Sequence, residues 1–228
     1  MSAEFDNYAR DYQDLLKDPI RDRFAQDSAF FHARKWYLLR QVLAARFGDL
    51  KKLRWLDIGC GKGELLRFGR ESVAEAVGCD PSKEMIAECA DLKVVWQPGI
   101  ADLPFEAGTF DVVTAACVYH HLDHDAQASL TAEAFRLMRP GSIFVIFEHN
   151  PWNPATRLIV SRTPVDANAV LLRAAETRTL MRRAGMNATE TTYYLYFPES
   201  LYRKIGAVER LLGWLPGGGQ YAVIGSRK

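Results

Sequence analysis

This chain has no apolar run long enough to cross a bilayer, and its first residues include Glu4, Asp6, Arg10 and Asp11 where a secretory leader needs an apolar core. A cytoplasmic protein with no stable membrane insertion is expected. Cysteine is scarce: Cys60, Cys79, Cys89 and Cys117 stand at no paired metal-ligand spacing, so reduced, packed thiols are expected and a disulfide framework is not. The histidines show no chelating spacing either, so no metal is expected. An excess of one charge is also lacking. With 29 basic and 28 acidic residues the formal net charge is +1, which gives no global case for nucleic acid or an anionic membrane. Arg178, Arg182 and Arg183 form only a local basic group. No internal repeat or low-complexity segment is present.

What remains is an ordinary globular composition, 48% hydrophobic and 25% charged over 228 residues, enough for one large core. Apolar residues at helical spacing from Phe5 through Tyr12 to Leu16 predict an N-terminal helix that Pro19 interrupts. A second helix is predicted from about Phe30 to Phe47, with Trp36, Leu39, Leu43 and Phe47 on one stripe and Gly48 past its end. Further on, apolar segments ending at Ile58, Cys79, Trp96, Cys117 and Phe147 read as strands. They alternate with helices near Pro81, over about 125–138 and over about 174–184. Pro151, Pro154 and Pro164 suggest a long irregular crossing. A strand over 189–196, an amphipathic helix after Pro198, a Gly-rich turn and a closing strand at Tyr221–Ile224 complete the chain. Such alternation predicts a doubly wound α/β sheet with its ligand at the carboxyl ends of the strands.

The stretch Asp57-Ile58-Gly59-Cys60-Gly61-Lys62-Gly63-Glu64 follows the first of these strands and opens a helix. Glycines there let backbone approach a ligand, and the helix start supplies free N–H groups. A dinucleotide fingerprint needs G-x-G-x-x-G. Here the third glycine comes one residue early and Glu64 takes the place of the last glycine, which disfavours pyrophosphate. Asp80 ends the next apolar segment 21 residues beyond Gly59, where a carboxylate can accept two ribose hydroxyls.

These residues resemble the class I S-adenosylmethionine-dependent methyltransferases, of the small-molecule, ubiquinone/menaquinone-methyltransferase-like group. The resemblance covers roughly Leu53 to Ile224. It implies a Rossmann-like sheet of seven strands in the order 3-2-1-4-5-7-6, the last antiparallel. It also implies that Asp57, Gly59, Gly61 and Gly63 cradle the cofactor's amino acid portion, that Asp80 and Pro81 border the ribose, and that Met85 packs on adenine or simply in the core. In the loop Gly99-Ile100-Ala101-Asp102-Leu103-Pro104-Phe105, Ile100 and Ala101 match the backbone contact to the adenine ring. Gly99 stands where an acid is usual, so Asp102 is a solvated loop acid unless the loop shifts. Cys117-Val118-Tyr119-His120-His121-Leu122 resembles a histidine-bearing segment near the transferred methyl. Tyr12 and Lys35 resemble positions where an aromatic closes over the cofactor and a cation meets its carboxylate.

Neutral imidazole is available near pH 7, so His120 and His149 are the leading candidates for a base. Either of His120 and His121 can face the acceptor while the other bonds backbone, and His149 with Asn150 can equally serve only a proline-rich turn. His121, His124 and His32 rank behind. The expected protein is an S-adenosylmethionine-dependent methyltransferase with a helical lid over residues 1–48 and a catalytic domain over 49–228. Acceptor-side insertions are expected at about 150–170 and 197–219. Aromatics in the two flanking regions, among them Phe5, Tyr8, Tyr12, Phe24, Phe30 and Phe31, then Trp152, Tyr193, Tyr194, Tyr196, Phe197 and Tyr202, suggest a small or medium-sized apolar or aromatic acceptor. The rival readings are a non-catalytic S-adenosylmethionine-binding module and a nicotinamide-dependent oxidoreductase, the second opposed by the glycine spacing.

Overall fold

A computed structural model describes residues 5, 6, 8–100 and 102–228. Its sheet has seven strands in the order β3-β2-β1-β4-β5-β7-β6, as expected. β1 (Arg54–Ile58), β2 (Glu75–Asp80), β3 (Lys93–Trp96), β4 (Phe110–Ala116) and β5 (Met138–His149) are parallel neighbours. β7 (Gln220–Ser226) runs antiparallel between β5 and β6 (Asn187–Tyr194). The central strands are buried on both faces, which is why β4 and β5 read as nearly unbroken apolar runs. Strand order reverses between β1 and β4, so their carboxyl ends frame the crevice of a doubly wound sheet.

The helix Ala29–Phe47 covers one face. Trp36, Leu39 and Leu43 point inward, and the Trp36 ring stacks on Trp55 of β1 with centroids 5.6 Å apart. Leu39 and Leu43 are wholly buried, and burying each side chain contributes about 1.5–3 kcal/mol. Trp55 donates its indole N–H to Thr114 Oγ1 at 2.8 Å, so this large side chain enters the core with its polar atom satisfied. Helices His124–Leu137 and Ala174–Arg183 cover the other face.

The N-terminal helix expected to run unbroken to Leu16 is interrupted. Residues 9–11 form a turn before the short helix Tyr12–Leu15. Pro19 then begins a new helix, Pro19–Phe24, because Asp18 caps it by accepting from Ile20 N–H (2.8 Å) and Arg21 N–H (3.2 Å). The crossing after β5 is likewise not irregular. Asn153 accepts from Thr156 N–H at 3.0 Å and Pro154 takes the first position of the helix Pro154–Val160, where a proline forfeits no hydrogen bond. Met138 pairs with Phe110, so β5 begins directly after Leu137, at the end of the helix expected to reach about residue 138.

Asn150, fully buried, ties this region to the C-terminal loop. Its amide donates to Pro216 O (2.9 Å) and Gly218 O (2.7 Å), while its Oδ1 accepts from Trp152 N–H (3.1 Å). Asn150→Ala should therefore lower unfolding stability by roughly 2–3 kcal/mol, the cost of stranding buried carbonyls. Urea titration checks this, and a loss below the error of the measurement would show that water replaces the amide.

Candidate active site

β1 runs directly into the glycine loop. Gly59 has φ +65° and a Cβ there would lie 2.6 Å from Val118 Cγ2, so the turn has room for no side chain. Gly61, at φ +54°, has no atom within 4 Å of a notional Cβ, which marks the open side of the loop. Gly63 instead packs against Leu92 and does not reach the cavity wall. Asp80, at the end of β2, braces the loop: Oδ2 accepts from Gly61 N–H (2.8 Å) and Oδ1 from Ser82 N–H (2.9 Å). Burial raises its pKa against the pull of those bonds. Ser82, not Asp80, caps the helix Lys83–Ala87, leaving the remaining lone pairs of Asp80 free for the cavity it lines. Asp57 faces the sheet. It accepts from Thr114 Oγ1 at 2.6 Å, and burial pushes its pKa up to about 7.

Above these strand ends lies a cavity of about 420 Å³. Of the residues singled out in the sequence, Tyr12, Lys35, Gly59, Gly61, Asp80, Pro81, Met85, Ile100, Cys117, His120 and His149 line it, whereas Asp57 and Gly63 do not. Ala101 lies outside the described residues. Asp102 points to solvent. Phe5, Tyr12, Phe24, Phe31 and Tyr196 line the cavity too. Tyr194 is instead a core side chain bonded to Gln220, and Trp152 is 61% exposed. His32 and His121 are on the wall and His124 is not.

Lys35 carries the clearest electrostatic message. It is 3% exposed, and among the described residues no carboxylate stands within ion-pair distance of it. A buried ammonium without a counter-ion is costly, so the site is built to receive a negative group. Gln97 was not foreseen. It is buried on the wall after β3, where its Nε2 donates to Gly99 O (3.0 Å) and its Oε1 has no partner among the described residues. A lone glutamine after a strand carries no sequence signal of its own.

The histidine cluster hangs on Glu148, fully buried at the end of β5. Its Oε1 accepts from Tyr119 N–H (2.8 Å), and its Oε2 meets His120 Nδ1 (2.6 Å) and His149 N–H (3.3 Å). His120 Nε2 lies 3.4 Å from Asp166 Oδ1, and His121 Nε2 lies 3.6 Å from the same oxygen. Burial alone would lower the His120 pKa, but the Glu148 charge and the bonds to Asp166 and Glu148 hold it well above its ordinary value. His120 thus lies between two carboxylates, which favour its protonated form. Burial and the His120 charge push His121 down to about 4, leaving it neutral. One ligand atom each of His120, His121 and Asp166 falls within 4.8 Å of the others, a group that could hold a cation and that no sequence spacing revealed. Asp166 was missed because it reaches the site from beyond the helix Pro154–Val160.

Two non-glycine residues have positive φ among the described residues, Cys117 (59°) and Leu195 (63°), and both line the cavity. At Cys117 the chain leaves β4 sharply, which carries Val118 and the two histidines across the strand ends. Burial raises the Cys117 pKa, but nearby Lys35 and His149 outweigh it and bring the thiol below its usual value.

Residues 56–146 match the family model described as a methyltransferase domain. The chain is 32% identical over 127 residues to a ubiquinone/menaquinone biosynthesis C-methyltransferase, UbiE, of Desulfotalea psychrophila, covering 53% of this chain and 50% of that protein. It is 30% identical over 168 residues to a ubiquinone biosynthesis O-methyltransferase of Rhizobium johnstonii, covering 70% of this chain and 64% of that one. The chain thus spans about half to two thirds of the length of these relatives. Among solved structures, a SAM-dependent methyltransferase from Archaeoglobus fulgidus superimposes with TM-score 0.62 at 22% identity, over 88% of this chain and all of the other. One from Thermotoga maritima, described as a possible histamine N-methyltransferase, gives 0.66 at 17% identity over the full length of both. At such identities these two establish the fold.

The His120 clamp has a pH signature. Because the folded pKa lies above the unfolded value near 6.5, its stabilisation is complete below pH 6.5 and is lost as pH rises through the folded value. Glu148, held below its ordinary 4.5 despite burial, loses its share as pH falls under that value. The melting-temperature gap between wild type and His120→Gln should be widest between about pH 4.5 and 6.5 and shrink toward alkaline pH. A gap constant to pH 10 would contradict a charged His120.

Proposed function

We propose, for a chain that belongs to the class I S-adenosylmethionine-dependent methyltransferases, that it transfers the sulfonium methyl to a small or medium-sized apolar or aromatic acceptor. The observation that carries the cofactor half is the presence of both Lys35 and Asp80 on the wall of one cavity. A buried ammonium without a counter-ion suits an amino acid carboxylate, and a braced carboxylate with lone pairs to spare suits ribose hydroxyls. Met85, Ile100 and Gln97 would border the adenine, and Gln97 Oε1 is an acceptor that its exocyclic amino group could use.

The acceptor half is lined by Phe5, Leu16, Ile20, Phe24, Phe31 and Ile159. This apolar wall, with relatives that are named for ubiquinone and menaquinone biosynthesis, supports an apolar or aromatic acceptor. The acceptor atom attacks the methyl carbon in line while the carbon–sulfur bond breaks, leaving a neutral thioether, and alignment supplies much of the rate. Where the acceptor must lose a proton, His149 is the base. His120 already holds its proton and instead positions Asp166 and, through it, His121. The N-terminal segment serves as lid: Phe5 packs edge-on against His121, centroids 5.0 Å apart.

S-adenosylmethionine should raise the melting temperature and NAD should not. Asp80→Ala should weaken cofactor binding by roughly 1.5–3 kcal/mol, and Lys35→Met should weaken it comparably. Calorimetric titration of folded variants checks both, and unchanged dissociation constants would remove those residues from the site. Deleting residues 1–17 should depress methyl transfer to a quinol or phenol panel far more than cofactor affinity. Intact turnover after that deletion would make the segment a packing element only.

A further inference from the structure

The helix Glu199–Leu212 presents its apolar face to solvent. The helix kinks at Ile205 (φ −127°, ψ 18°), and on either side of and at the kink Leu201, Ile205, Val208 and Leu211 are 39%, 39%, 45% and 73% exposed, with Trp214 just beyond 74% exposed. Its inward face is polar. Glu209, 3% exposed, pairs with Arg34, and Tyr202 bonds the same guanidinium and lies under it at 3.7 Å. A helix on a globular domain ordinarily buries its apolar stripe and exposes the polar one. Here the buried Arg34–Glu209 pair holds the helix down by its polar side, which turns the stripe outward.

Charge beside the stripe indicates what covers it. Arg203, Lys204 and Arg210 are exposed. The helix's two acids are withheld, Glu209 by burial and Glu199 by pairing with Arg203 at 2.6 Å. The outer surface is therefore apolar and basic, with a tryptophan at its end, which are the features of a helix lying in the plane of a lipid interface. An isologous pairing of two copies would bring Lys204 and Arg210 of one close to those of the other, so a second copy suits this surface less well than anionic headgroups do. The inward face of the same helix leads toward the cavity wall. Tyr202 packs on Phe30 with centroids 5.8 Å apart, and Phe30 packs on Phe24 and Phe31 of the cavity wall.

We propose that this helix docks the protein peripherally on an anionic lipid surface, with Leu201, Ile205, Val208, Leu211 and Trp214 at the acyl boundary and Lys204 and Arg210 at lipid phosphates. The docking stands on the exposed stripe and its charge. Only the further step, that a membrane-dissolved acceptor enters past Phe30, rests on the apolar-acceptor reading.

The test is co-sedimentation of the full chain with phosphatidylcholine vesicles, with and without phosphatidylglycerol. Binding should require phosphatidylglycerol and weaken as salt is raised. Leu211→Glu combined with Trp214→Glu should reduce binding roughly tenfold or more while leaving the melting temperature and the S-adenosylmethionine-induced shift unchanged. Lys204→Glu should reduce it on the anionic vesicles. Wild type that stays in the supernatant with phosphatidylglycerol vesicles overturns the proposal, as does binding indifferent to the Leu211/Trp214 substitutions. Sedimentation as a dimer that these substitutions dissolve, without vesicle binding, would assign the stripe to a second copy and overturn it as well. Since no readout uses turnover, failure of docking and failure of the methyl-transfer reading are separable.

Discussion

The site depends on one carboxylate kept from water. Glu148 ends β5, yet it accepts from the backbone after β4 and from the ring and backbone of two histidines. Burial penalises its charge, and the penalty is offset only because a protonated His120 and two N–H groups surround it. This network locks the Tyr119–His121 turn to the sheet and aims His120 Nε2 at Asp166, so a segment beyond the helix Pro154–Val160 is drawn to the strand ends. Without Glu148, His120 loses one of its two counter-charges and the bond that orients its ring toward Asp166.

The cavity combines two kinds of support. On the cofactor side it is backbone: a glycine turn with no room for side chains, braced by Asp80 through Gly61. On the acceptor side it is side-chain packing from segments distant in sequence, the N-terminal helices, the helix Pro154–Val160 and the start of the C-terminal excursion at Leu195 and Tyr196. Cys117 and Leu195, the positions of left-handed strain, lie where the chain must leave a strand abruptly to make room for the cavity. Asn150 and the Arg34–Glu209 pair hold those outer segments in place. One side of the cavity therefore rests on the rigid sheet, and the other on elements fastened to it by a few buried polar bonds.

The placement of the helix Glu199–Leu212 follows from the same logic. Its periodicity is visible in the sequence and would ordinarily assign the leucines to the core. The ion pair beneath it reverses that assignment, because the charged group, once paired and hydrogen-bonded inside, leaves the apolar side no surface to cover.

By itself the sequence determined the sheet, its order through the family resemblance, the glycine loop, Asp80 and the long helix Ala29–Phe47. These rest on local signals: hydrophobic period, glycine spacing and the strand-turn-helix succession, all contained within short windows. It misjudged the proline-bearing crossing, since Pro154 reads as a breaker until Asn153 is seen to cap a helix in front of it. Only the tertiary structure decided which histidine lies between two carboxylates, that Asp166 and Gln97 belong to the cavity, that Lys35 is buried with no carboxylate of the described residues at ion-pair distance, and that Asp57 faces Thr114. Each of these is a statement about burial or about partners 28 or more residues apart in the chain, and neither is encoded in the identity of neighbouring residues.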